Sequence, residues 1–301
     1  MKKYGKVLNK GIHLEKLNKT GFAVQEKLDG SNGSFTVEDG ELKVFSKRLE
    51  LNEHDTLRGL YPYIQDFVNN HPKREELLKD LEKYIFFGEW LVKHKAVYKE
   101  DKYNQFYLFD VYDKTTKEYL PPSSVPEVAN YYDVNTVDTF LIVPAGEGTD
   151  ATIEEILKLV GKSSLTAKEN TGEGIVIKSL EAKSGEVEDY YKIVSKEFKE
   201  NKHKKMKDKS KNTEGIADYA VTENRMEKMI FRAIEEGRLS EDDLRLENFS
   251  KVVKEVNTDF VEDIMTEEKE EILNRVEKQI KRKLPHVLRS VLEKKTKTFE
   301  E

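Results

Sequence analysis

Cysteine is absent from all 301 residues. That removes disulfides, thiolate nucleophiles, zinc knuckles and iron–sulfur centres together. No run approaches the roughly 18 apolar residues that a membrane-spanning helix needs. The first residues, MKKYGKVLNKG, lack the apolar core of a signal peptide. The expectation is a soluble, cytoplasmic protein that touches no membrane. Neither sign of charge dominates: 52 Lys and Arg stand against 58 Asp and Glu, a formal net charge of -6. Residues 1–200 hold 29 basic and 35 acidic side chains, and residues 201–301 hold 23 of each. Any nucleic-acid contact must therefore use local patches, because no global basic field exists.

Glycine, proline and aromatics thin out along the chain. Residues 201–301 carry two of the 16 Gly, one of the seven Pro and five of the 29 Phe, Tyr and Trp. This shift sets a boundary near 200–212 and two packing units, written as 1–205 and 206–301. Length agrees with two domains at about 150 residues each. A lysine-rich segment, 199–211, lies at the boundary. It reads either as a solvated linker or as a phosphate-tracking patch.

The first unit alternates strands and turns. Phe22–Glu26 is a strand entering Lys27-Leu-Asp-Gly30. Gly33–Val37 and Glu41–Ser46 flank a hairpin turn at Glu38-Asp39-Gly40. Tyr84–Phe87, Gln105–Tyr112, Phe140–Val143, Gly174–Lys178 and Tyr190–Val194 are further apolar strand segments. Arg74–Lys83 reads as a helix, and Thr152 with Glu155 as a capping box for a second one ending at Gly161. The pattern predicts an α+β domain of antiparallel sheets with flanking helices. The tail reads as all-helical, and packing into a bundle accounts for its apolar positions. Thr222–Glu236 ends at Gly237. Val252, Val256 and Phe260 follow a Ser250 cap. Ile272, Val276 and Ile280 follow a Thr266 cap, and Pro285 breaks that run.

Several short motifs fail on context. Gly161-Lys162-Ser163 lacks the upstream glycine of a phosphate-binding loop and follows a helix rather than a strand. Gly146-Glu147-Gly148 lacks a third glycine. The six histidines show no local metal-site spacing, and no serine sits in a nucleophile elbow.

Six segments in order stand above this background. They are Glu26-Lys27-Leu28-Asp29-Gly30-Ser31-Asn32-Gly33, Ser46-Lys47-Arg48, Phe87-Gly88-Glu89-Trp90, Phe106–Tyr112, Glu173-Gly174-Ile175-Val176-Ile177-Lys178 and Tyr191–Lys196. A lysine closing an apolar strand is pre-positioned by the turn after it. A carboxylate ending Tyr84–Phe87 is placed to face a cavity. Strand alternation puts Gly174, Val176 and Lys178 on one face, so Glu173 meets Lys178 only if the chain bends near Gly174.

The order and spacing resemble the covalent nucleotidyltransferase superfamily of ATP-dependent ligases and capping enzymes. The phrases around Lys27, Glu89 and Glu173 are most similar to the RNA ligase 2 family. The resemblance covers 27–196 in motifs and the tail only in type. It implies an adenylyltransferase domain followed by a helical one, and an enzyme that joins 3′-hydroxyl and 5′-phosphate RNA ends through lysyl-AMP and a 5′-adenylated polynucleotide. It implies ATP and Mg²⁺ as cofactors, with Mn²⁺ able to substitute. RNA or an RNA-containing nicked duplex would be the partner of a monomeric protein.

By the same resemblance Lys27 is the nucleophile, and Glu173, Lys178 and Lys192 complete the catalytic set. Glu26, Asn32, Arg48, Glu89, Phe109, Val176 and Lys196 contact the nucleotide. Glu89 takes the ribose hydroxyls, and Phe109 and Val176 sandwich adenine. Glu173 and Glu89 serve the metal. The family's last motif has two lysines one residue apart; here Lys192 is followed by Ile193 and Val194, so the second lysine is either absent or supplied by Lys196. The residue types fit such chemistry independently. Holding a lysine neutral at pH 7.4 costs about 4 kcal/mol, and neighbouring cations or desolvation lower that cost. Two other readings stay open: a DNA ligase or other covalent nucleotidyltransferase, and a non-catalytic nucleic-acid-binding protein.

Overall fold

A computed structural model describes residues 2–5, 7, 12–54, 56–181, 190–199 and 219–299. Ten strands run in chain order: β1 Phe22–Lys27, β2 Ser31–Glu38, β3 Glu41–Ser46, β4 Tyr84–Trp90, β5 Phe106–Asp113, β6 Glu118–Tyr119, β7 Asn135–Thr136, β8 Thr139–Val143, β9 Gly174–Ser179 and β10 Tyr191–Val194. The helices are α1 Leu14–Thr20, α2 Leu60–Asn69, α3 Arg74–Leu81, α4 Val125–Tyr131, α5 Asp150–Leu159, α6 Glu223–Glu235, α7 Phe249–Glu267 and α8 Lys269–Phe299. Residues through Phe198, with Glu235–Gly237, form one compact unit, and the remaining residues form the other. The expected boundary at 205/206, and the lysine-rich segment from residue 200 onward, lie outside the described residues.

The first unit is built on two sheets, as an α+β reading requires. One has the order β10-β9-β1-β8 and is antiparallel throughout. The other has the order β3-β2-β4-β5-β6, with β7 paired parallel to β5. Alternation gives each sheet one face for a core. Phe22, Val24, Ile175, Ile177 and Tyr191 turn together toward Leu17 of α1 and Ile156 of α5. Phe35, Phe86, Phe106 and Leu108 turn toward Leu60 and Ile64 of α2, Leu77 of α3 and Val125 of α4. The opposite faces of the two sheets meet through an ion pair, Lys178 Nζ to Asp110 Oδ2 at 2.8 Å.

Local chemistry explains the hairpin. Asp39 and Gly40 have φ of 53° and 78°, the left-handed pair that matches strand twist in a two-residue turn. Gly161 has φ of +89° and follows α5, so Gly161-Lys162-Ser163 is a helix exit and not a strand-to-helix phosphate loop.

Four helix boundaries differ from expectation. The capping box of α5 is Thr149 with Thr152, so the helix starts at Asp150; a threonine hydroxyl performs the reciprocal bond that Glu155 was expected to make. α7 starts at Phe249 and not after a Ser250 cap. Thr266 lies inside α7, its hydroxyl donating back to the Glu262 carbonyl at 2.7 Å. The α7–α8 junction falls at Glu268 because that side chain is drawn into the interior by Arg225 and Tyr219. Pro285 does not break α8. It forfeits one bond, to the Lys281 carbonyl, and water can satisfy that carbonyl because the helix is exposed there. Ile280, Leu284 and Val287 are exposed on this stretch, where bundle packing was expected to cover the apolar repeat. Among the described residues no helix is long and apolar enough to cross a membrane.

The second unit packs Met229 and Ala233 of α6 against Val256 and Phe260 of α7, with Leu239. A buried ion network sits beside this small core. Arg225, fully buried, donates to Glu268 at 3.0 Å and lies 3.5 Å from Asp263, while Tyr219 donates its hydroxyl to Glu268 at 2.9 Å. Removing one partner of a buried network leaves uncompensated charge, at a cost of roughly 3–5 kcal/mol. Arg225→Met is therefore expected to lower the unfolding free energy of the helical unit by that amount in urea titration. A loss within 1 kcal/mol (roughly the worth of a surface pair) would show that the network carries no stability.

Candidate functional site

Register decides which side chains meet. Lys27 ends β1 opposite Gly174, the first residue of β9, and Ala23 lies opposite Lys178. Lys192 of β10 pairs with Val176. Cross-strand partners share a face, so Lys27, Val176, Lys178 and Lys192 all project from the face that the apolar core leaves open. Gly174 is required by close approach: a Cβ there would run into the Ile193 carbonyl. The turn after Lys27 is equally fixed. Leu28 is buried with Leu91, Ala96 and Tyr98. The Asp29 carboxylate accepts from the Ala96 amide at 2.7 Å, and the Asp29 amide donates to the Tyr98 hydroxyl at 2.7 Å. A Cβ on Gly30 would strike the Trp90 carbonyl.

Glu173 precedes β9 and leaves the strand's alternation. Its Oε2 lies 2.6 Å from Lys27 Nζ. Lys178 sits four residues beyond Gly174, about 13 Å along the strand, and is engaged elsewhere. It donates to Asp110 and, at 2.7 Å, to the Phe109 carbonyl, with the Phe109 and Tyr190 rings at 5.3 and 5.4 Å. The bend that would join Glu173 to Lys178 is not what forms; Glu173 joins Lys27 and Lys178 joins Asp110. Asp110 also accepts from the Tyr4 hydroxyl at 2.6 Å.

The second sheet adds Glu89. It pairs with Asn32 on β2 and Tyr107 on β5, and its Oε1 accepts from the Gly30 amide at 3.1 Å. Phe109 is the extra residue of a bulge, since Gly88 pairs with Leu108 and Phe87 with Asp110. A bulge re-aims the side chain it carries. Arg48 lies on the exposed bend after β3, and Lys196 is exposed in a short 3-10 turn after β10. Lys192 is buried, and its charge acts on Glu173. Glu26 points to the opposite face from Lys27. It is buried, and among the described residues neither carboxylate oxygen has a hydrogen-bond partner.

Charge is unbalanced around Lys27. Burial alone disfavours its ammonium, but the charges of Glu173 and Glu89 outweigh burial and hold the pKa above its ordinary value. Burial pushes the Glu89 carboxyl up to about 8, against the pull of Lys27, and Glu173 pushes it further. Burial likewise raises Glu173 and Asp29. One ammonium thus faces three part-buried carboxyls. Two of them, Glu89 and Glu173, suit Mg²⁺, which binds through one or two carboxylates plus substrate phosphates and water. Among the described residues no cluster of three or more His, Asp or Glu forms a complete protein-only metal cage.

Sequence reasoning missed Tyr4, Asp110, Arg58 and His94. Asp110 had a signal, a lone carboxylate inside an aromatic strand; Tyr4 had none. The His94 imidazole lies 3.3 Å from the Ser31 hydroxyl, and its pKa is pushed down to about 4 by burial and then by the charge of Arg58. Arg58 belongs to a run of three left-handed residues, Leu57, Arg58 and Gly59, with φ of 46°, 52° and 97°. For a leucine and an arginine this costs about 1–2 kcal/mol each.

The buried Glu26 carboxyl generates a stability prediction. Burial, with a contribution from the Asp138 charge, raises it from 4.5 to about 7. A group whose pKa is raised on folding contributes stability below its unfolded pKa and loses it as pH climbs through the folded one. Here that is roughly 3 kcal/mol at most, lost between about pH 4.5 and 7. Glu26→Gln should flatten the stability profile over that window and unfold at higher denaturant than wild type at pH 8. Parallel profiles for the two proteins would place the Glu26 carboxyl in water.

Solved structures resemble the chain at low identity. A Naegleria gruberi RNA ligase with PPi is 23% identical, covering 64% of this chain and 59% of that one, at a TM-score of 0.40. A mutant of that ligase with ATP and Mn gives 22%, 66% and 57%, at 0.45. An archaeal ATP-dependent RNA ligase gives 17%, 88% and 65%, at 0.48. The chain thus spans less than two thirds of the length of each. No curated protein matches it. The RNA ligase family model matches residues 20–194, from the residue before Gly21 to the end of β10, which is more than half of the chain and takes in Lys27, Glu89, Glu173 and Lys192. The chain belongs to the RNA ligase family.

Proposed function

We propose that the protein is an ATP-dependent RNA ligase with Lys27 as its nucleophile. The observation that carries this reading is Lys27 at a strand end, held 2.6 Å from Glu173 and in the field of Glu89, inside the family-matched span. The Lys27 amine attacks the α-phosphate of ATP; a P–N bond forms and the bond to pyrophosphate breaks. The AMP group passes to an RNA 5′-phosphate, which frees Lys27, and a 3′-hydroxyl displaces AMP to seal the strand.

The proton on Lys27 is the obstacle, since only the free amine attacks. Glu173 aims the side chain and Glu89 adds to the field, but both favour the ammonium. Glu89 and Glu173 would hold a divalent cation, which would supply positive charge against this field and stabilise charge developing on the phosphoryl oxygens. Mg²⁺, or Mn²⁺ in its place, fits that role. Lys192, buried and close enough to act on Glu173, serves the α-phosphate. Phe109 and Val176 serve adenine, with Asn32, Arg48 and Lys196 as further nucleotide contacts; Glu26, buried on the face away from Lys27, is left out of this set. Lys178 fits a bracing role better than a phosphate one, because Asp110 already neutralises it.

The unit after Phe198 holds no strand among its described residues, which favours this reading over enzymes that carry a barrel after the last motif. It would engage nucleic-acid ends, in a monomeric cytoplasmic protein.

Mass spectrometry after incubation with ATP and Mg²⁺ should show one added AMP on the peptide containing Lys27. Lys27→Arg should show none, because a guanidinium stays protonated. AMP on another lysine, or on none, would overturn the assignment. Substrate class is tested with matched 5′-phosphate nicks whose last two 3′-side sugars are ribose or deoxyribose. Loss of one 2′-hydroxyl contact is worth about 1–3 kcal/mol, so ribose should seal roughly five- to 150-fold faster in single turnover. Equal rates would make this a general polynucleotide ligase.

A further inference from the structure

The helical unit leaves two rows of large apolar side chains facing water. On α7, Phe249, Val253, Val261 and Met265 recur every four residues, interrupted once at Asn257. On α8, Val276, Ile280, Leu284 and Leu288 do the same, with Leu273, Val287 and Val291 beside them. All except the half-buried Val276 are between 42 and 65 % exposed. Rows at this spacing are the ridges by which packed helices interlock. One exposed apolar side chain is ordinary, but two continuous rows on consecutive helices mark an interaction surface.

The chain cannot cover these rows with itself. Two helices that lie side by side in one chain need a connection of about two to five residues. Glu268 alone joins α7 to α8, and it is buried, accepting from Arg225 at 3.0 Å and from the Tyr219 hydroxyl at 2.9 Å. Arg275, early in α8, stacks 3.9 Å from the Tyr219 ring. The base of α8 is thus fixed, and the helix cannot double back along its own α7. The stretches 182–189 and 200–218, outside the described residues, contain Val187, Met206 and Ile216 as their only large apolar residues, too few to cover either row.

Charge decides which row meets which. α7 carries five acidic and two basic side chains, whereas residues 273–292 of α8 carry six basic and one acidic. Two α8 helices would repel each other, and α7 attracts α8. We infer that the protein pairs with a second copy of itself, α8 of each copy lying along α7 of the other. Two such contacts related by a twofold axis close the pair and leave neither row exposed. Pairing does not depend on the ligase reading. Every residue assigned to the nucleotide lies between Lys27 and Lys196, so each copy keeps its whole set, and the monomer of that reading is the dissociated form of the pair.

Sedimentation equilibrium of the full chain tests this, with the mass expected to rise from one copy toward two as concentration increases. Raising salt from about 0.05 to 0.5 M should weaken the pair several-fold, because screening removes the attraction between α7 and α8. Tightening with salt would mean that like-charged rows meet, and would overturn the arrangement. Leu284→Gln with Leu288→Gln alters the α8 row, and Val261→Gln with Met265→Gln alters the α7 row. All four positions are exposed, so Tm should hold. Each double variant should pair at least about tenfold more weakly than wild type. An equimolar mixture of the two should pair more tightly than either alone, since one α7–α8 contact in the mixed pair is intact. An α7 variant that pairs as wild type does overturns the inference. So does a wild type that stays a single copy up to about 100 µM, a concentration at which a specific interface of standard size is formed.

Discussion

The pairing of Lys27 with Gly174 across β1 and β9 is the constraint on which the site depends. It is set by cores on the far face, where Phe22, Val24, Ile175 and Ile177 must be buried together. A one-residue slip would turn those side chains outward and put Lys27 into the core, so the register is strongly specified. Once it is fixed, Val176 and Lys192 face the same way as Lys27 without further instruction, and Glu173 arrives at Lys27 because it sits just outside the strand. Gly174 allows this by letting β10 lie close; a side chain there would push away the strand that brings Lys192.

The second theme is a crowding of part-buried carboxyls around one ammonium. Three carboxyls, those of Glu173, Glu89 and Asp29, act on one ammonium. Such an arrangement keeps Lys27 protonated and its side chain aimed, which is a resting state and not a reactive one. Among its described residues the protein provides two well-placed oxygen donors beside Lys27 and no complete metal cage.

Much of this was legible in the sequence, for physical reasons that differ by residue. Gly33–Val37 announces itself by alternation, and Phe22–Lys27 and Gly174–Ser179 by short apolar runs bounded by glycine. The Asp39-Gly40 turn does so because few residues accept two left-handed positions. Helix starts were less legible. Thr149 and Thr152 are chemically similar, and the reciprocal bonds between them place the cap at Thr149; at Glu268 a buried arginine overrode the local signal from Thr266. Pairings across sheets were not legible at all, since nothing local distinguishes a lysine that meets phosphate from one that meets Asp110.

That last pair shows why order and spacing of motifs do not by themselves assign roles. Lys178 and Asp110 are both fully buried, and burial opposes the charged form of each. Each is tolerated because the other is present, with the Tyr4 hydroxyl and the Phe109 carbonyl completing their hydrogen bonds. An ion pair of this kind adds little net stability over apolar packing, but it fixes geometry, because either charge without its partner is costly. It fixes the face of one sheet to the face of the other at the bulge that re-aims Phe109. A lysine in the right motif position therefore acts here on the shape of this face, by holding the two sheets in register.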